Sequence, residues 1–152
     1  MNKIAHILLV EDNRMDVELT LDAFREAMLA NTIHVSSNGQ DALDYLYGRG
    51  QYADRQTYPL PSLILLDLKL PGIDGFEVLH QIKETPILKR LPVIILTSSK
   101  EEGDRALSYD IGANSYLVKP WVSGIVQTPQ DSGWPGDIAP WTIDIDTAAQ
   151  SQ

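Results

Sequence analysis

The sequence predicts an α/β domain, a doubly wound five-stranded parallel sheet with helices on both faces. Three observations predict it. Strand-like aliphatic runs alternate with segments of helical period five times between residues 4 and 120. Three of those runs, Ile4 to Val10 (broken only by His6), Leu63 to Leu66 and Pro92 to Leu96, are aliphatic rather than alternating, as strands covered on both faces are. A length of 152 residues at 43% hydrophobic content is enough for one real core.

Each element has its own signal. Strand one is Ile4 to Val10. From Arg14 the period changes, and Val17, Leu21, Phe24 and Met28 mark one face of a helix with Asn13 as its N-cap. Thr32 to Val35 is a short second strand, and Asn38-Gly39 reads as a turn. Ala42, Leu43, Leu46 and Tyr47 mark the second helix. Gly48 to Pro61 is loop-like, with two glycines, two prolines and several charges. Leu63 to Leu66 is strand three. Phe76, Leu79 and Ile82 space out a helix after Gly75. Pro92 to Leu96 is strand four. Ala106, Leu107 and Asp110 lie on a weaker helix ending at Gly112, a natural C′ residue. Ser115 to Val118 is strand five.

Composition excludes several classes. A net charge of −9 argues against sequence-independent nucleic-acid binding, which sets Lys and Arg against phosphate. With no cysteine, disulfides and thiolate sites are excluded. The apolar run Ile7 to Val10 is too short for a signal-peptide core, and no segment approaches membrane-spanning length. A cytoplasmic location is the simplest expectation.

The chemistry gathers where the strands end. In open parallel sheets, ligands bind outside the carboxyl ends of the strands. Strand one delivers Glu11 and Asp12 there, strand three Asp67, strand four Thr97 and Ser98, and strand five Lys119. Taken singly these residues have ordinary readings as turn, cap or surface residues. Their shared placement changes that. Three crowded carboxylates repel, and magnesium, which takes oxygen ligands, offsets the cost. A hard cation and the Lys119 ammonium beside an exposed carboxylate suit transfer of a phosphoryl group onto Asp67, since carboxylates act as nucleophiles toward phosphorus. Thr97 can donate to a phosphoryl oxygen.

"ILLVEDN", "LILLDLKLPGIDGFEVL", "PVIILTSS" and "GANSYLVKP" come in an order and spacing that resemble the receiver domain of two-component response regulators, the CheY-like proteins, over residues 4 to 120. The long loop "YLYGRGQYADRQTYPLPS" looks like that of the single-domain regulators paired with cyanobacterial and bacterial phytochromes. The resemblance implies the flavodoxin-like strand order 2-1-3-4-5. It implies Asp67 as phosphoacceptor, and Mg2+ held by Asp12, Asp67 and the backbone carbonyl of Lys69, with Glu11 acting through water. Thr97 and Lys119 would contact the phosphoryl group, and Tyr116 matches the aromatic that changes rotamer on activation. The peptide between Lys119 and Pro120 is commonly cis in this family. The donor would be a histidine kinase, so the chain would be a substrate and switch rather than a turnover enzyme. A homodimer through the fourth helix and fifth strand is the family's common assembly.

The chain divides at Pro120. Residues 1–120 form the expected receiver domain. Residues 121–152 read as an irregular acidic tail: no Lys or Arg, four aspartates, and the chain's three tryptophans, Trp121, Trp134 and Trp141, among scattered prolines and glycines. The fifth amphipathic helix of receivers is not legible there. The fold then implies an apolar patch on strands one, three and five that needs cover, of which Trp121, Val122, Ile125 and Val126 supply at most one short turn.

Two further functions compete. A degenerate receiver would keep the fold and act as a protein-binding module without phosphotransfer. An aspartyl-nucleophile hydrolase of the haloacid-dehalogenase type needs a second aspartate two residues after the first, where this chain has Lys69. No G-x-G-x-x-G or Walker-type loop follows any strand.

Overall fold

The structure is a computed structural model that describes residues 5–26, 31–99 and 101–119. The expectations for Met28, for the Lys119-Pro120 peptide and for the tail of residues 121–152 lie outside the described residues.

Five parallel strands form one sheet in the order β2-β1-β3-β4-β5. They are β1 (Ala5–Val10), β2 (Asn31–Ser36), β3 (Leu63–Leu66), β4 (Val93–Thr97) and β5 (Ser115–Val118). Helices α1 (Arg14–Glu26), α2 (Gly39–Tyr47), α3 (Gly75–Glu84) and α4 (Glu102–Ile111) connect them. No helix among the described residues is long and apolar enough to cross a membrane.

The continuous aliphatic runs are explained by burial on two faces. Leu8 and Val10, Ile64 and Leu66, and Val93 and Ile95 point into a core with α2 and α3, which supply Ala42, Leu43, Leu46, Val78, Leu79 and Ile82. The alternate residues Ile7, Leu9, Leu63, Leu65, Ile94 and Leu96 form a second cluster with Phe24 and Val17 of α1. Successive side chains of a strand point to opposite faces, so a strand buried on both must be apolar throughout. The second cluster takes in β4, which the expected patch on strands one, three and five left out.

Local departures from the sequence reading have simple causes. Asn38-Gly39 is not a turn but the start of α2. The Asn38 side chain accepts the Asp41 N–H at 2.8 Å, and Gly39 is the first helical residue. A Cβ at Gly39 would lie 2.7 Å from the Ile73 carbonyl oxygen and 2.8 Å from Val78 Cγ2, so close packing rather than turn geometry demands glycine. On α4, Ala106 and Leu107 face solvent. The buried residue is Ser108, whose hydroxyl donates to the Asp104 carbonyl. Neither Thr97 nor Ser98 caps α4. Glu101 is its N-cap, and Ser99 makes the side-chain contacts there.

The loop from Gly48 to Pro61 is ordered by two devices. The Arg55 guanidinium donates to the carbonyls of Tyr45 (2.7 Å) and Leu46 (2.7 Å) in the last turn of α2 and of Tyr58 (3.1 Å) in the loop, which ties the loop to the end of the helix. Tyr45, Tyr52 and Tyr58 enclose His34 of edge strand β2. The imidazole stacks on Tyr45 at 4.6 Å and meets Tyr52 and Tyr58 edge-on. Tyr45 and Tyr52 spend their hydroxyls on the Pro59 carbonyl and on Asp41.

His34 Nε2 is buried without a hydrogen-bond partner. Burial pushes the imidazole below its ordinary value of 6.5, against the pull of Asp41. The folded protein therefore favours the neutral ring. Stability from this group is complete above the unfolded value and is lost as pH falls through 6.5 toward the lowered folded pKa. We predict that His34→Phe melts with a shallower loss of Tm below pH 6.5 than the parent protein; parallel Tm–pH curves would refute the assignment.

Candidate functional site

β1 and β3 are neighbours at the place where the strand order reverses, and a cleft opens there above their carboxyl ends. The Asp67 N–H donates to the Val10 carbonyl at 3.0 Å, which fixes the backbone of Asp67 to the end of β1. The loop beyond closes when the Gly75 N–H donates to the Leu68 carbonyl at 2.8 Å. Asp74 caps α3 by accepting the Glu77 N–H. A Cβ on Gly75 would lie 2.3 Å from the Asp67 carbonyl oxygen and 2.5 Å from Leu68 Cα. Glycine thus lets α3 start directly against the acceptor loop.

On the β1 side, Glu11 is buried and Asp12 is exposed at the mouth. Glu11 accepts the Asn13 N–H at 3.1 Å, and Asn13 in turn accepts the Asp16 N–H at 3.1 Å, the α1 cap that the sequence implies. Glu11, Asp12 and Asp67 each present a carboxylate oxygen, all within 4.8 Å of one another. Lys119, just beyond β5, bridges Glu11 and Asp67 of this cluster and a fourth carboxylate, Asp16. Its Nζ donates to Glu11 at 2.5 Å, to Asp16 at 2.7 Å and to Asp67 at 3.3 Å. The cleft has a volume of about 500 Å³; its walls include Asp12, Asp67, Lys69, Ser98 and Lys119.

The charges are unevenly firm. Glu11 is pushed up to about 7, because burial, helped by the field of Asp67, outweighs the downward pull of the Lys119 ammonium. Burial also opposes the charge on Lys119, but hydrogen bonds to Asp16 and Glu11 and the field of Asp67 outweigh it, so its pKa rises. The ammonium is the firmer charge, and the cleft keeps a net negative balance.

The expected residues are placed as follows. Glu11, Asp12, Asp67, Lys69 and Lys119 meet in the cleft. Lys69 is exposed and its N–H donates to Asp67 Oδ1 at 3.3 Å. Thr97, the last residue of β4, is fully buried. Its hydroxyl oxygen accepts the Ser99 N–H at 3.4 Å, and its carbonyl accepts the Lys119 N–H at 2.7 Å. Ser98 rather than Thr97 lines the cleft. Tyr116 is buried and donates to the Ser99 carbonyl at 3.0 Å; Ser99 donates to Asp104 of α4 at 2.6 Å. The sequence reading missed Asp16. Its only signal was a carboxylate in the first turn of α1, which helix-dipole complementation would also explain.

The donor set fits a hard divalent cation. It offers oxygen alone, from two buried carboxylates and one exposed, and a single ammonium does not balance its charge.

The strand order, the acidic cleft at the switch point and the lysine after the last strand define a receiver domain. The chain belongs to that family: the response regulator receiver domain model matches residues 7–126. The response regulator Rcp1 of Synechocystis is 42% identical over 113 residues, 74% of this chain and 75% of that protein. The crystal structure of the phosphorylated cyanobacterial phytochrome response regulator RcpA superposes with a TM-score of 0.72 at 41% identity, covering 77% of this chain and 81% of that one. The Mn(2+)-bound form of Rcp1 gives a TM-score of 0.72 at 35% identity, covering 91% and 95%.

Two predictions follow from the packing and charge of this cleft. Gly75→Ala should cost about 2 kcal/mol or more by denaturant unfolding, because only backbone can yield to the new methyl group; a loss too small to measure would show that the loop has slack. Asp12→Asn should raise the Tm of the metal-free protein, through relief of repulsion on the order of 1 kcal/mol, while weakening Mg2+ binding in calorimetry. A lower metal-free Tm would contradict the repulsion.

Proposed function

We propose that this protein is a response regulator of the phytochrome-associated kind, which accepts a phosphoryl group on Asp67 from the phosphohistidine of a sensor histidine kinase. The reading is carried by the ammonium of Lys119 at 3.3 Å from Asp67, inside a cluster of three carboxylates at the switch point. Likeness to a regulator crystallised in its phosphorylated state, and to one crystallised with Mn2+, supports it.

An oxygen of Asp67 attacks phosphorus. The bond from phosphorus to the histidine nitrogen breaks, its electron pair stays with the imidazole, and an aspartyl phosphate remains. Mg2+ held by Asp12, Asp67 and the Lys69 carbonyl, with Glu11 acting through water, would neutralise charge on the transferring group. Lys119 supplies a second positive charge beside Asp67. Thr97 stands one residue from the cleft wall and would turn its hydroxyl toward the phosphoryl oxygens. That turn would withdraw the acceptor of the Ser99 N–H, and the Ser99 carbonyl holds Tyr116. A change at Asp67 would therefore reach α4 and β5, where Leu107 and Tyr109 are exposed and a homodimer or protein partner would bind. The protein acts stoichiometrically, as acceptor and switch.

Acetyl phosphate with Mg2+ should add one phosphoryl group by intact-protein mass spectrometry, and none to Asp67→Ala. If the parent protein gains no mass from acetyl phosphate or from a phosphorylated kinase, it is a binding module with the receiver fold.

A further inference from the structure

We infer that Asp16 is the positioning residue for Lys119: a fixed anchor on α1 that aims the ammonium at the acceptor carboxylate. This rests on the phosphoacceptor reading above. A lysine ammonium is a point charge with three donors on a flexible four-carbon stem, so its direction must come from its partners. Here all three donors are committed, to Glu11, Asp16 and Asp67. Two of those partners, Glu11 and Asp67, belong to the carboxylate cluster that fits a cation. Asp16 stands outside that cluster, at 2.7 Å from Nζ. Its backbone is held at the start of α1, where its N–H donates to Asn13. Its side chain is 27% exposed and that of Lys119 only 12%, so the pair is largely shielded from water. Dipole complementation would place a carboxylate in this turn but would not direct it to a residue 103 positions away.

The sign of one substitution separates positioning from bulk charge. Asp16→Asn removes a negative charge beside a site that must admit an anionic donor. Electrostatics alone would then speed phosphorylation. Loss of aim would slow it, on the order of tenfold. The test is the single-turnover rate with saturating acetyl phosphate and Mg2+ for the parent protein, Asp16→Asn, Asp16→Glu and Asp67→Ala, with Tm and Mg2+ affinity measured alongside. The expected result is a slow Asp16→Asn whose Mg2+ affinity is close to the parent's, and recovery of most of the rate in Asp16→Glu. Asp16→Asn as fast as the parent or faster would overturn the inference, and so would Asp16→Glu no better than Asp16→Asn. If Asp16→Asn fails to fold, the 15Nζ signal of Lys119 in the parent protein decides: exchange with water as fast as that of the exposed Lys69 would also overturn it. A parent protein that behaves like Asp67→Ala would instead remove the phosphoacceptor reading itself.

Discussion

The compensation of crowded carboxylates by one ammonium organises this protein. Four acidic side chains come within reach of a single edge of the sheet, and Lys119 binds three of them. Removing charged groups from water is costly, and an ammonium repays that cost only where its partners are close and its donors are all used. Both conditions hold, and they tie the first, third and fifth strands to the first turn of α1. The compensation is incomplete. The carboxylates of Glu11, Asp12, Asp16 and Asp67 still outnumber the cations of Arg14, Lys69 and Lys119 around the cleft, which retains a capacity for added positive charge. The property that makes the site a demanding one to fold also makes it receptive.

The rest of the fold keeps this edge in register. The aliphatic strands are apolar on both faces, so their register is fixed by the charges at their ends: a slip would draw Glu11 or Asp67 into the apolar sheet. Val10 and Asp67 are therefore held at fixed heights, and the hydrogen bond between their backbones completes the alignment. Gly75 brings α3 against the acceptor loop from the other side. Behind the cleft, Thr97, Ser99, Tyr116 and Asp104 form a hydrogen-bonded series that ends on α4.

Most of this was legible in the sequence, for identifiable reasons. Leu63 to Leu66 and Pro92 to Leu96 could be read because strands buried on both faces need apolar residues at every position. Asp67 and Lys119 could be placed because a parallel sheet puts the carboxyl ends of its strands along one edge. What escaped depended on tertiary distance. Asn38-Gly39 has the chemistry of a turn, and only the nearness of Ile73 and Val78 shows that the glycine is there for space. Ala106 and Leu107 have a helical spacing that fits either face of α4. Asp16 was hidden because a carboxylate in the first turn of a helix already has a local reason to be there. The order in the loop from Gly48 to Pro61 was hidden too, since neither the three hydrogen bonds of Arg55 nor the tyrosines around His34 follow a period.

That loop carries a consequence for handling the protein. Arg55 lies in a segment of glycines, prolines and charges, the composition of a stretch that trypsin should cut readily. Yet its guanidinium is spent on three carbonyls, and a protease must accept the extended arginine into its own specificity pocket. Scission after Arg55 therefore requires the end of α2 to give up those bonds first, so the rate of nicking there is a clock for local opening of one corner of the molecule.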